Sequence, residues 1–297
     1  MPPFHPIDHL VLPVADLAVS RARYEQLGFQ VQDDRQHPFG TANCCIMFAN
    51  GTYLEPLAVG NREELEKAIV ARNVFVSRQD AYRFRHDEGF AMLALKTEDA
   101  QADHRAFCEF GYAAGEPFAF ERMATAPDGS ETRIGVRLAY AEDHRAPDCT
   151  LFTCQHLSPD ILWTRENSIH GNQSIGVTAV YMSEPNPADF QYYLETLSGQ
   201  RDIRSSSSGI EAEMGEGSVS ILTPYALNAL FGVAAGRQGF QGRGLQLRGF
   251  SLAVPDIESL ISGLSSRNVE YRQLGSRIIV DPAPGQGAFI CFEEAQS

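Results

Sequence analysis

The sequence predicts an α+β chain built from four successive βαβββ modules, and three observations carry the prediction. The opening stretch IDHLVLPVADL alternates as a half-buried strand over Ile7–Val14 and then meets Asp16, a good helix N-cap, at the head of a helix-forming run. The same strand–Asp–helix passage returns at GFAMLALKTED, with Asp99 in the place of Asp16, and at LRGFSLAVPD, while IGVTAVYMSEPNP opens a further copy. Four such modules also account for the length of 297 residues.

Taken in order, the first copy (about residues 7–59) has its helix over about 17–27, closed by Gly28-Phe29. Strands are expected near Phe29–Asp33, Ala42–Ala49 and Thr52–Val59. Residues 61–85, beginning NREELEKAIVARN, read as a separate helix, with Asn61 as cap and Glu64 completing a capping-box pattern. The second copy (about 89–157) ends its helix on FGYAAG and continues through strands near Pro117–Met123, Thr132–Ala141 and Cys149–Leu157. SPDILWTRENSIHGNQS, about 158–174, reads as a linker and carries Trp163, the single tryptophan. The third copy (about 175–225) has a helix with the stripe Phe190, Tyr193, Leu194, Leu197, and the fourth (about 245–295) repeats it with Ile257, Leu260, Ile261, Leu264. The fourth closes on RIIVDPAPGQGAFICFE, a strand, a turn and a last strand. RSSSSGIEAEMGEGS and the Gly-rich AAGRQGFQGRG read as long loops. The glycines of the second follow no clear strand and open no clear helix, so a nucleotide-binding loop is rejected. The expected organisation is residues 1–157, a linker over 158–174, and residues 175–297.

The composition is globular, with 43% hydrophobic and 21% charged residues. A formal net charge of −14 repels phosphate backbones and anionic membranes, which argues against nucleic-acid partners. No apolar run approaches the ~18–20 residues that span a bilayer, and MPPFHPIDHL lacks the pattern of a secretory signal. The six cysteines form no C-x-x-C pair and read as reduced thiols of a cytoplasmic protein. The vicinal Cys44 and Cys45 cannot both face one side of a strand, so one is expected to pack in the core and the other to face the cavity.

Paired βαβββ units opening on DHLVLPVADL resemble the vicinal oxygen chelate superfamily, which includes glyoxalase I, extradiol dioxygenases and bleomycin-resistance proteins. RQHPFGTAN with MFANGTYLEPLA, and later CTLFTCQHLSPDILW, resemble its glyoxalase-like group more narrowly. The resemblance implies two cupped sheets of two modules each, with a divalent metal on a concave face. It also implies chain pairing into a homodimer. The family's ligand positions, on the first and last strands of a module, match His9 and Glu55. Strand alternation agrees, since it turns Leu10, Leu12 and Val14 to one side and His9 to the other, and puts Tyr53 and Glu55 on a common face. The other copies depart from the pattern: Met92, Val177 and Gly249 stand where His9 does, and Cys291 stands at the Glu55 position of copy four. Copy two ends in TCQH, so Gln155 or His156 falls near the ligand position.

The expected metal set is therefore His9, Glu55 and His156 in the first cup, holding Fe, Mn, Zn, Ni or Co and leaving places for two substrate oxygens. His9 alone reads as an ordinary strand histidine. Glu55, amid Tyr53, Leu54, Pro56 and Leu57, is a carboxylate that is not buried without a partner. Glu55 and His37 are the candidate catalytic groups, His37 being otherwise a turn residue beside Pro38 and Gly40. Tyr53, Phe118, Phe120 and Phe152 are candidate cavity walls, and His170 of the linker a candidate lid residue. His5, His86, His104 and His144 read as surface residues. Two functions follow. One is a metal-dependent lyase or isomerase, with dioxygenase less favoured, acting on a small molecule with vicinal oxygens. The other is a non-catalytic small-molecule-binding protein of the bleomycin-resistance type.

Overall fold

The computed structural model describes residues 4–125, 129, 131–233 and 244–295, apart from the side chains at 122, 124 and 125. The Gly-rich tract over 234–244 falls outside these residues except for its last glycine.

Two mixed sheets carry the four modules. The first holds nine strands: β1 (Ile7–Pro13), β2 (Arg35–Gln36), β3 (Thr41–Asn43), β4 (Ile46–Met47), β5 (Tyr53–Val59), β6 (Met92–Lys96), β7 (Phe118–Thr125), β8 (Glu131–Ala141) and β9 (Thr150–His156). The helices in this half are α1 (Leu17–Gln26), α2 (Arg62–Val70), α3 (Val74–His86), α4 (Ala100–Phe110) and the short α5 (Pro159–Leu162). The second sheet holds eight strands: β10 (Gly176–Ser183), β11 (Ile203–Ser206), β12 (Gly209–Glu213), β13 (Ser218–Leu222), β14 (Gln246–Val254), β15 (Arg272–Leu274), β16 (Arg277–Val280) and β17 (Phe289–Glu294). Helices α6 (Gln191–Ser198), α7 (Pro224–Phe231) and α8 (Ile257–Ser266) accompany it.

One pairing rule recurs four times: the first strand of each module lies parallel to its last, as β1‖β5, β6‖β9, β10‖β13 and β14‖β17. The two first strands of each sheet meet antiparallel at its centre. Each sheet is thus a curled pair of modules, which is the expected two-cup α+β architecture. Asp16, Asp99 and Asp256 cap α1, α4 and α8 through their side chains. The third module has no such cap and enters α6 through a 3₁₀ turn at Pro187–Phe190.

The outer faces of both sheets and the helices between them form one core, in which Leu10, Leu12, Tyr24, Phe48 and Leu54 meet Val180, Tyr193, Phe250 and Leu252. Each inner face has its own smaller cluster. In the second cup that cluster fills the position that His9 and Tyr53 take in the first. Tyr181, Phe231 and Phe289 stack there with ring centroids 4.4–6.0 Å apart. Gly249, at the position of His9, admits this packing, since a Cβ there would lie 2.4 Å from the Phe289 ring.

Several expectations give way to local chemistry. Phe29–Asp33 is not a strand, because the Gln30 N–H is taken by His170 and the Gln32 N–H by a single bond to the Cys45 carbonyl. The expected strand Ala42–Ala49 splits into β3 and β4, opposite Pro56, which has no N–H for the ladder. The helix expected over 61–85 is two helices: Arg72 has a positive φ of 57°, and Asn73 caps the second. RSSSSGIEAEMGEGS is not all loop but holds the β11–β12 hairpin on the sheet edge, with Glu211 and Glu213 of β12 alternating with the buried Ile210 and Ala212.

Candidate metal centre and cavity

The inner face of the first cup encloses a cavity of about 670 Å³. Its apolar wall includes Tyr53, Phe120 and Phe152, together with Phe39 and Phe75, which the sequence did not single out. Phe118 sits a layer back, with its ring 5.3 Å from Phe39. Phe39 is carried by the loop at Gly40, whose φ is +89° and whose Cβ would lie 2.2 Å from the Leu65 backbone nitrogen, so α2 closes down on it. Phe75 comes from α3. Residues Ile161, Leu162, Thr164, Glu166 and Asn167 from the linker also line the cavity. Trp163 packs over His156, with centroids 5.1 Å apart, and over Tyr53 at 5.9 Å.

A row of polar groups crosses the floor. The Glu55 carboxylate, 5% exposed, accepts from the Asn43 side-chain amide at 2.7 Å, and its other oxygen stands 3.6 Å from His9 Nε2. On the opposite edge of the His9 ring, Nδ1 donates to Asp8 at 2.6 Å. The same Asp8 oxygen receives His156 Nε2 at 2.9 Å, and Cys154 Sγ lies 3.6 Å from that nitrogen. Tyr53 stacks on His9 at 4.3 Å. The ligand set read from sequence is therefore not gathered round one point. His9 and His156 converge on Asp8, and Glu55 stands across the imidazole from them.

Asp8 is the residue the sequence reading missed. Strand alternation would turn it away from His9, but the β1–β6 ladder shifts register between Ile7 and His9, and this bulge brings both side chains to one side. Asp8 is wholly buried. Burial by itself raises its pKa, yet His156 and His9 outweigh that and hold the carboxyl well below the usual range. Its other oxygen, Oδ1, has no hydrogen-bond partner, and neither does His156 Nδ1.

Four donor atoms, one each from Asp8, His9, Cys154 and His156, lie within 4.8 Å of one another, the only such group among the described residues. The set fits a divalent cation. Two buried carboxylates, Asp8 and Glu55, pair with no lysine or arginine among the described residues, and the one arginine in the cavity wall, Arg35, is exposed on the rim. A dication would neutralise that charge where imidazoles alone do so only by protonation.

Copy two's own counterparts of the first-module pair are apolar. Because His9 faces Tyr53 and Met92 faces Thr150 in equivalent parallel ladders, Phe152 occupies the Glu55 position. Cys154 and His156 lie one and two pleats farther along β9, on the same face. Gln155, the alternative to His156, turns away and donates to the Glu98 carbonyl.

His37 lines the cavity, with Nδ1 2.8 Å from Thr41 Oγ1 and Nε2 3.3 Å from the Asn43 amide. The Asn43 amide nitrogen that donates to Glu55 thus also faces His37 Nε2. His170 is not in the cavity. Its Nδ1 accepts from the Gln30 N–H at 3.0 Å and its Nε2 donates to the Met47 carbonyl at 2.9 Å, between Phe29 and Phe48. It is a latch that ties the linker to the first module. His5 and His104, expected on the surface, are buried; His5 bonds Asp103 at 3.2 Å. Cys44 is buried and Cys45 faces the cavity.

Burial lowers the His170 pKa against the Met47 bond. Its neutral form is favoured by folding, so its share of stability is complete above the free-histidine value near pH 6.5 and is lost as pH falls below it. Replacing His170 with Ala is expected to cost about 3 kcal/mol at pH 7, from two stranded backbone groups and lost packing. Urea unfolding between pH 7 and 5 should also show a shallower pH slope in the variant, with metal content unchanged. An unaltered slope would reject the latch.

Two cupped sheets of paired modules, with histidine and carboxylate donors on one concave face, define the vicinal oxygen chelate superfamily, and this chain has that glyoxalase/dioxygenase-like fold. It belongs to the family described as "Glyoxalase-like domain", whose model matches residues 7–198. Among solved structures it is similar to a hypothetical protein from Staphylococcus aureus (TM-score 0.66, 15% identity, 97% of this chain and 99% of that one). It is also similar to a mutant 4-hydroxymandelate synthase from Streptomyces coelicolor (TM-score 0.58, 14% identity, 99% and 94%). A Mn(II)-bound glyoxalase from Novosphingobium aromaticivorans is a further match (TM-score 0.55, 10% identity, 98% and 82%). No curated protein matches the sequence significantly. No helix among the described residues is long and apolar enough to cross a membrane.

Proposed function

We propose that the protein is a divalent-metal-dependent enzyme of the glyoxalase type, which moves a proton next to a carbonyl in a small molecule with vicinal oxygens bound in the first cup. The observation that carries the reading is the convergence of Asp8, His9 and His156 on the floor of a cavity with an aromatic wall. Two imidazoles and a carboxylate are a donor set for Fe(II), Mn(II), Co(II), Ni(II) or Zn(II) that leaves positions for substrate. A bound ion supplies Lewis acidity, stabilising charge on a carbonyl oxygen as the neighbouring carbon loses its proton.

The chain's own groups have separate tasks. Asp8 holds both imidazoles in place. Glu55, buried and oriented by Asn43, is the base that takes the proton. Tyr53, Phe120 and Phe152 hold the substrate's apolar part and exclude water. Proton transfer is favoured over oxygen insertion because a cavity-facing carboxylate stands beside the donor group without belonging to it.

Elemental analysis of purified protein, and of chelator-stripped protein reloaded separately with each of the five ions, tests the reading. About one equivalent per chain is expected. A protein that stays empty with all five ions is instead a binder of the bleomycin-resistance type, with the aromatic wall as its ligand site.

A further inference from the structure

We propose that Cys154 is a ligand of the metal, so that sulfur joins the nitrogen and oxygen donors and the centre selects Zn(II) and Co(II) over Mn(II). The inference rests on the metal reading above.

Three features point to it. The Cys154 side chain lies on the same face of β9 as Phe152 and His156, so the strand's pleat aims it at the cavity floor. Its sulfur belongs to the four-donor group and lies 3.6 Å from His156 Nε2, a separation that two ligands of one ion can have when metal–sulfur and metal–nitrogen bonds are about 2.3 and 2.0 Å. Among the buried cysteines described, it alone has its sulfur in a group with two imidazoles and a carboxylate. Cys149 is equally buried and has no such company.

Without an ion this sulfur is a thiol. Burial first, and then the neighbouring Asp8 and Glu55 carboxylates, push its pKa far above the ordinary range. A neutral thiol is tolerated in that position where a thiolate is not. Ligation changes the balance: the S–H bond breaks, a sulfur–metal bond forms, and the proton passes to solvent. Soft sulfur favours zinc-like ions, whereas manganese favours oxygen.

The test uses chelator-stripped full-length protein with Co(II), Zn(II) and Mn(II) as probes. In wild type, bound Co(II) should show an intense near-ultraviolet sulfur-to-metal absorption. Cys154→Ser should bind Co(II) without that absorption, release one proton fewer per ion, and lose at least about tenfold in its preference for Zn(II) over Mn(II). The wild-type spectrum decides even if the variant folds poorly. Stoichiometric Co(II) without sulfur absorption overturns the ligand assignment and leaves the metal reading standing. Failure of wild type to bind any of the ions overturns both.

Discussion

Asp8→Asn is expected to empty the centre. One oxygen of the carboxylate is hydrogen-bonded by both imidazoles, at 2.6 and 2.9 Å, and an amide oxygen in its place could still accept from both but brings no negative charge to hold a cation. Metal content should fall from about one equivalent to below about a tenth, in keeping with the loss of a donor that also orients its neighbours. Breaking a buried ionic group from one side should destabilise the metal-free fold by about 3–5 kcal/mol. The pH dependence has a definite sign. Because His156 and His9 hold the Asp8 carboxyl below the unfolded value against its burial, its contribution is present above about pH 4 and is lost as pH falls below that. Urea titrations in chelator from pH 7 down to pH 3 should therefore show a flatter acid limb in Asp8→Asn. Unchanged metal content with an unchanged acid limb would remove Asp8 from the centre.

The repeat was legible because it is written in local signals: Asp caps at 16, 99 and 256, apolar stripes on α6 and α8, and alternation along β1 and β5. Its failures lie where a distant group decides. The Phe29–Asp33 backbone is claimed by His170 from 140 residues away, and the β3–β4 break is set by Pro56 across the ladder. Alternation pointed to His9 and Glu55 as cavity-facing residues, and for the same reason passed over Asp8, since a bulge cancels the period of two at that point. A signal was nonetheless present. A fully buried aspartate on the Leu10–Leu12 face would have had no partner, so the DH pair at the head of the strand was itself a reason to expect a bulge. Phe39 and Phe75 lay beyond alternation altogether, one in a loop and one on a helix that folds over the cup.

Glu55→Gln should separate binding from chemistry. Glu55 stands 3.6 Å from His9 Nε2, on the side of the ring away from Asp8, and outside the four-donor group. The glutamine carbonyl can still accept from Asn43, so the cup should fold and keep about one equivalent of metal. What it loses is a base. With hydroxyacetone in D₂O as a chelating probe, wild type is expected to catalyse exchange at the carbon beside the carbonyl, and the variant to be slower by about 10²–10⁴-fold, the usual worth of a positioned base. Proton NMR follows the exchange directly. Equal rates would show that another group, with His37 the first to examine, takes the proton. Loss of metal in this variant would mean instead that the ion sits on the Nε2 side of His9 with Glu55 as its ligand. Asp8 would then be the carboxylate that fixes the imidazole from behind, and Asp8→Asn would weaken metal binding without abolishing it. The two substitutions together thus assign which edge of a single imidazole faces the metal.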